Sequence, residues 1–473
     1  MTTTDTAIKE KTLFGHPRGL TWLFMTEMAE RFSYYGMRAI LVLYLVNYLL
    51  LPQQGSHVAG YSEIKGFFES LVGHPLAVQP FSSFIYGTYT AFVYLTPFFG
   101  GLIADRLWGQ RFTVIVGGVT MAIAEFALMV PQLFFLGLLL LIVGNGFFKP
   151  NISTQVGNLY KPGDSRIDRA YSIFYVGINT GAMLSPLIAG TLGEEVGYRW
   201  GFFSAGIGML IGLTVYLLAY RTLPADRVTR MKKQVAVAGQ PGLTSTEWRS
   251  VGALILLCIP TSLFWAVYEQ QGNTINLWAQ DYTNRKLIPG VLDWQIPVTW
   301  FQFFNPAMIL LFTPLVVMLW ARQSKRGKEP STVLKMALGD FMLAASYLVM
   351  AAAAYITGTS GHASWLWLFF FFVVITVGEL YLSPIGLALV ARVAPAKILS
   401  MMMGLWFITS FVGNLLQGYI GSYFSQMDKT QFFLMCSGIG ALAGLVTLAF
   451  DRPLRAILEA KPVQPSTVPS PAE

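Results

Sequence analysis

Twelve apolar runs alternate with short polar segments, at about 20–50, 81–104, 112–131, 132–159, 170–192, 200–220, 250–280, 298–320, 333–356, 364–390, 399–424 and 431–450. Each is near or above the roughly 20 residues that a helix needs to cross a bilayer. The pattern therefore predicts an all-α polytopic membrane protein of twelve spans, with the lipid bilayer as its surroundings. Composition agrees: only 12% of residues are charged, against about 25% in soluble domains. Lys and Arg concentrate in the loops after even-numbered runs. The bias predicts both termini on the cytoplasmic side of the membrane. It also accounts for the net charge of +8 without nucleic acid.

The longest basic loop, residues 221–249, contains Arg230-Met-Lys-Lys233 and divides the runs six and six. The expected organisation is a tail (1–19), a six-helix bundle (20–220), a cytoplasmic linker (221–249), a second bundle (250–451) and a tail (452–473). Two six-helix bundles around a central cavity is the major facilitator architecture, reached here by analogy of fold. Gly100-Gly-Leu-Ile-Ala-Asp105-Arg106-Leu-Trp-Gly-Gln-Arg111 resembles that superfamily's loop between helices 2 and 3. Asp105, Arg106 and Arg111 are expected to act there as a structural and gating element. Gly208-x-x-x-Gly212 and Gly440-x-x-x-Gly444 are spacings suited to close helix packing.

Charges inside membrane spans are costly and mark pathways. The first run carries Glu27, Glu30, Arg31, Tyr34, Tyr35 and Arg38, which fall on one helical stripe. Two acids and two bases sum to zero, which makes burial tolerable. An arginine stays charged at membrane depth, whereas a carboxylate there is able to titrate, so the Glu27–Glu30–Arg31 cluster is the candidate proton site. The fourth run holds Lys149-Pro150, a cation beside an expected kink, and the fifth holds Asn179. Later runs hold Trp265, Glu269, Asn305-Pro306, Glu379 ahead of an expected helix break at Ser383-Pro384, and Trp406. The buried cations fall in the first half and these isolated acids in the second, an arrangement suited to salt bridges between halves.

Glu125 and Asp340 have no local motif and are expected to be structural partners. Cys258 and Cys436 lie in apolar runs, and neither a disulfide nor a metal site is expected. The four histidines, His16, His57, His74 and His362, lie near span ends. With short basic loops, that argues against an enzyme.

Five ordered segments carry a family resemblance. EMAERFSYYG resembles the ExxERFxYYG motif of proton-dependent oligopeptide transporters, the POT or PTR family. GNGFFKPN, FYVGINTG, FWAVYEQ and GELYLSPIG are similar to further motifs of that family. The resemblance implies proton-coupled symport of di- and tripeptides across the plasma (bacterial inner) membrane, with protons as coupling ion and no other cofactor, and action as a monomer is expected. It implies that Glu27, Glu30, Arg31 and Glu269 serve proton coupling. Arg31, Tyr34, Tyr35, Tyr94 and Lys149 would hold the peptide carboxylate. Asn179, Asn305 and Glu379 would hold its backbone and ammonium end, and Trp265 and Trp406 would wall side-chain pockets. Arg38–Glu269 would gate the outer side and Lys149–Glu379 the inner. The chain departs from the family in two places. Gly87 stands where animal members carry a histidine, and the central loop is too short for the two extra helices of many bacterial members. A small-anion symporter, a drug antiporter, a membrane enzyme and a receptor without transport remain as competing readings.

Overall fold

The computed structural model describes residues 12–13, 15–161, 164–226, 243–288, 290–358, 361–395 and 398–458. Most of the expected linker, residues 227–242, and most of both expected tails lie outside the described residues.

Among the described residues there are twelve helices of 19 or more residues. They are α1 (Arg18–Tyr44), α2 (Val78–Ile103), α3 (Gln110–Leu128), α4 (Phe134–Asn158), α5 (Ile167–Ser185) and α6 (Tyr198–Ala219), followed by α7 (Ser245–Tyr268), α8 (Phe304–Lys325), α9 (Thr332–Thr357), α10 (Leu366–Val393), α11 (Leu399–Ser422) and α12 (Lys429–Leu458). Nine described segments are long and apolar enough to cross a membrane by length and composition. α1, α2 and α11, at 27, 26 and 24 residues, share the length. α1 is made more polar by the charged stripe of the first run.

The packing repeats after six helices. In the first half α1 lies between α5 and α6, and α4 bridges α2 and α3, while α3 also packs on α6. The second half repeats this: α7 lies between α11 and α12, α10 bridges α8 and α9, and α9 packs on α12. The halves meet where α2 packs on α11 and α5 on α8, two contacts that map onto each other under the same six-helix shift. The small-residue spacings serve as expected. A Cβ on Gly212 would sit 3.2 Å from Ala29 Cβ on α1, and one on Gly444 would sit 2.8 Å from the Phe341 ring on α9.

Three local expectations differ from the structure. The run 250–280 is not one helix: α7 ends at Tyr268, a 3₁₀ turn covers Glu269–Gly272, and a short helix spans Thr274–Asp281. α10 runs unbroken through Pro384, and α4 runs through Pro150. A proline removes one backbone donor and its ring crowds one carbonyl, which can bend a helix without ending it, so Pro384 does not produce the expected break. The eighth run opens with a 3₁₀ segment, Val298–Phe303, before α8.

Gly87 marks the α2–α11 crossing. A Cβ there would lie 2.6 Å from Gly418 Cα and 2.7 Å from the Asn414 carbonyl oxygen. Both obstacles are backbone, so the helices must part to admit a side chain. Gly87→Val is expected to destabilise this closed crossing by about 1–3 kcal/mol, read as a lower melting temperature of the purified protein in detergent.

Candidate functional site

A cavity of about 310 Å³ lies between the halves. From α1 it receives Glu27, Arg31, Tyr35 and Arg38. From α2, α4 and α5 come Tyr94, Lys149, Tyr175 and Asn179. The second half contributes Trp265, Tyr268, Glu269, Gln271, Gln302, Asn305, Glu379, Trp406 and Ser410.

The stripe on α1 proves narrower than the sequence suggests. Residues 27, 31, 35 and 38, at spacings of four, four and three, line the cavity. Glu30 and Tyr34 do not. Glu30 is fully buried beside Arg31, receiving its guanidinium through Nε and, at 2.7 Å, through Nη2. Tyr34 is 3% exposed, with its ring edge against Tyr35 and the Arg31 guanidinium 5.2 Å from its centre. In this arrangement Tyr35 lines the cavity and Tyr34 does not.

Charges in the cavity fall into three groups. Arg31 Nε lies 3.2 Å from Glu27 Oε1 as well as against Glu30, so two acids share one guanidinium. Glu27 Oε2 has no partner among the described residues. Arg38 on α1 is ion-paired to Glu269 across the halves, and its Nε donates to the Tyr86 hydroxyl at 2.6 Å. The third group is Lys149 and Glu379, which form no ion pair among the described residues. Lys149 Nζ rests 4.8 Å from the centre of the Tyr94 ring. Glu379 Oε2 accepts from the Tyr268 hydroxyl at 2.6 Å and from Asn305 Nδ2 at 3.0 Å. The expected Lys149–Glu379 pair is therefore open in this arrangement, while the Arg38–Glu269 pair is closed.

The neutral groups are fixed by their own or neighbouring helices. Asn179 donates to the Tyr175 carbonyl at 3.0 Å, and Asn305 also donates to Thr376 at 3.1 Å. Trp406 lies over Gly386, where any Cβ would collide with the indole. The Trp265 indole nitrogen is buried and has no partner among the described residues.

Other expected residues fall elsewhere. Asp105 and Arg106 are exposed on a π-helical turn, Ala104–Trp108, and make no ion pair among the described residues. Arg111 instead ties the α2–α3 loop to the end of α6. Its side chain donates to the Leu223 carbonyl and lies 4.9 Å from the Tyr220 ring centre, and its backbone N–H donates to Asp226 at 2.8 Å. Glu125 accepts from Ser33 at 3.3 Å and Asp340 from Thr447 at 2.8 Å, each from a neighbouring helix, as the structural expectation required. Tyr86, Tyr268, Gln302 and Ser410 join the site without having been singled out. In sequence they are ordinary polar residues in apolar runs, and helix packing within each half gives three of them partners: Tyr86 meets Arg38 in the first half, while Tyr268 meets Glu379 and Gln302 meets the Gln271 carbonyl in the second.

Comparison with known proteins fits this geometry. The POT family model matches residues 111–239 and 225–439. The chain is 34% identical to a di-/tripeptide transporter of Lactococcus lactis subsp. cremoris, covering 94% of this chain and 97% of that protein. It is 31% identical to the peptide transporter YePEPT of Yersinia enterocolitica subsp. palearctica, covering 95% and 96% respectively. A crystal structure of a peptide transporter POT with sulfate superposes with a TM-score of 0.82 at 28% identity, covering 95% of this chain and 97% of that one. A mutant form bound to alafosfalin gives the same score at 29% identity and the same coverage. With one family model matched across most of its length and full-length relatives above 30% identity, this multi-pass membrane chain belongs to the POT family.

Proposed function

We propose that the protein carries di- and tripeptides into the cell together with protons, by alternating exposure of the central cavity to either side. The relatives are named as transporters and permeases of di- and tripeptides, and membership of a transporter family sets the enzyme reading aside. The observation that carries the substrate class is the pair of unmatched charges. Lys149 and Glu379 face one cavity from opposite halves, with no ion-pair partner among the described residues. A short peptide is a zwitterion whose carboxylate suits Lys149 and Arg31, and whose ammonium suits Glu379. Charge-assisted bonds at the two ends are shared by peptides of any side chain, and Trp265, Tyr175 and Trp406 offer broad apolar walls.

The proton-coupling residues proposed are Glu27 and Glu30 with Arg31 between them on α1, and Glu269 at the outer gate. Protonating Glu269 would release Arg38 and open the outer side. Peptide or proton at Glu379 would govern Lys149 and the inner side. The cytoplasmic placement of both termini, the two-bundle domain division with its cytoplasmic linker, and action as a monomer belong to the same proposal.

The test is uptake of labelled dialanine into proteoliposomes under an inward proton gradient. Accumulation above equilibrium supports the reading. Uptake that nitrate blocks and dialanine does not would favour a small-anion carrier. Within the site, Lys149→Gln and Glu379→Gln are each expected to weaken dialanine binding by about 10- to 100-fold, since each removes a charged hydrogen bond of about 1.5–3 kcal/mol. Competition assays with unlabelled dialanine check this.

A further inference from the structure

A second inter-half contact lies at the Arg38–Glu269 end of the cavity and involves none of the cavity's charges. α5 continues through π-helical turns over Pro186–Gly190 and Leu192–Val196. From the second turn, Glu194 reaches across to the opposite half. Its carboxylate accepts from the backbone N–H groups of Val298 at 2.8 Å and Thr299 at 2.7 Å, and from Thr299 Oγ1 at 2.6 Å. These N–H groups open the 28-residue helical segment Val298–Lys325 that contains α8. First-turn N–H groups have no partner within their own helix, and they concentrate the positive end of its dipole.

The surroundings are shaped for this contact. Thr299 is fully buried. Gly190 lies against it so closely that a Cβ would collide with Thr299 Oγ1. Trp300 Nε1 donates to Thr191 Oγ1 at 2.7 Å, again across the halves. All three donors to Glu194 belong to the second half, and among the described residues no cation pairs with it. The carboxylate's bonds thus exist only while this end is closed. Parting the halves breaks all three together and leaves both the acid and the helix start to water.

We propose that Glu194 is a latch of the closed outer side, a positioning residue that acts alongside Arg38–Glu269 and holds α8 rather than the peptide. This rests on the alternating-access reading above. In an opening transition the latch must yield as well as the ion pair, so the outer gate has two separately adjustable parts.

The test measures the outer-end distance by pulsed electron spectroscopy between spin labels at Leu71→Cys and Tyr355→Cys, with Cys258 and Cys436 replaced by alanine. Both labelled positions are exposed and lie on loop-side ends opposite the chain termini. Glu194→Gln keeps the shape but loses the charge at the helix start, and is expected to raise the open population about fivefold. Thr299→Val removes one donor from the other side and should raise it in the same direction, which keeps the test alive if the first variant folds poorly. Glu195→Gln, an exposed neighbour, should leave the distribution at the parent's. If Arg38→Gln opens the outer side while Glu194→Gln and Thr299→Val do not, the latch is overturned and alternating access stands. If Arg38→Gln also fails to open it, the underlying reading falls instead.

Discussion

Arg38→Gln is expected to hold the outer side open and to reduce peptide uptake to background. The pair joins α1 to the turn after α7, and Glu269 is 2% exposed and Arg38 9% exposed. Removing one partner of a buried ion pair leaves the other charge uncompensated, at a cost of about 3–5 kcal/mol. That cost falls on the closed form alone, because an open outer vestibule hydrates Glu269. A population change of about two to three orders of magnitude follows. Tyr86 cannot replace the lost cation, since its hydroxyl bonds Arg38 and carries no positive charge. Two readouts check the result: dialanine uptake in proteoliposomes, and labelling of a cysteine in the outer vestibule. Arg38→Glu combined with Glu269→Arg restores the pair with its ends exchanged, and should recover part of the uptake lost in either single variant. No recovery, with both single variants still closed, would show that the pair is not what holds this end.

Glu27→Gln carries the second large effect, on coupling rather than on binding. Glu27 and Glu30 share Arg31, and one oxygen of Glu27 has no partner among the described residues. With one cation and two acids in contact, the cluster holds a negative charge that one proton would neutralise. Glutamine preserves the volume and can still accept from Arg31, but it cannot take up a proton. A potential of about 100 mV is worth about 2.3 kcal/mol per charge moved, or roughly 50-fold accumulation per proton. In Glu27→Gln that accumulation is expected to fall to equilibration, while exchange of labelled for unlabelled dialanine continues. Glu30→Gln should behave alike. Its place behind Arg31 means that it acts through the guanidinium rather than by touching peptide. Counterflow assays run beside uptake assays separate lost coupling from lost binding.

The spans and the charged stripe were legible because they rest on period and spacing. An acid at 27 with a guanidinium four residues on must share a helix face, whatever else the chain does. Which of two neighbouring tyrosines lines the cavity was not legible. Tyr34 and Tyr35 carry the same chemistry, and only the packing of α1 against α5 and α6 decides which one faces the cavity. The break after Tyr268 was hidden because Glu269-Gln-Gln-Gly272 lies in a run whose mean character is apolar. Its 3₁₀ turn is held by contacts from distant elements, including a bond from Gln302 Nε2 to the Gln271 carbonyl at 2.6 Å. Pro384 misled in the opposite direction, since a proline removes one donor and crowds one carbonyl yet the helix continues through it. Glu194 reads in sequence as an ordinary acid at a span end. Its meaning depends on a helix start more than a hundred residues away in the other half.

Proton entry with the peptide is carried by the acids that Arg31 holds on α1, with Glu269 at the outer gate. It is tested most directly by following luminal pH in proteoliposomes loaded with a pH-sensitive dye, when dialanine is added outside without any imposed gradient. Luminal acidification that saturates with dialanine is expected in the parent protein and is expected to be absent in Glu27→Gln. Dialanine entry with no acidification in the parent, or undiminished acidification in Glu27→Gln, would contradict it.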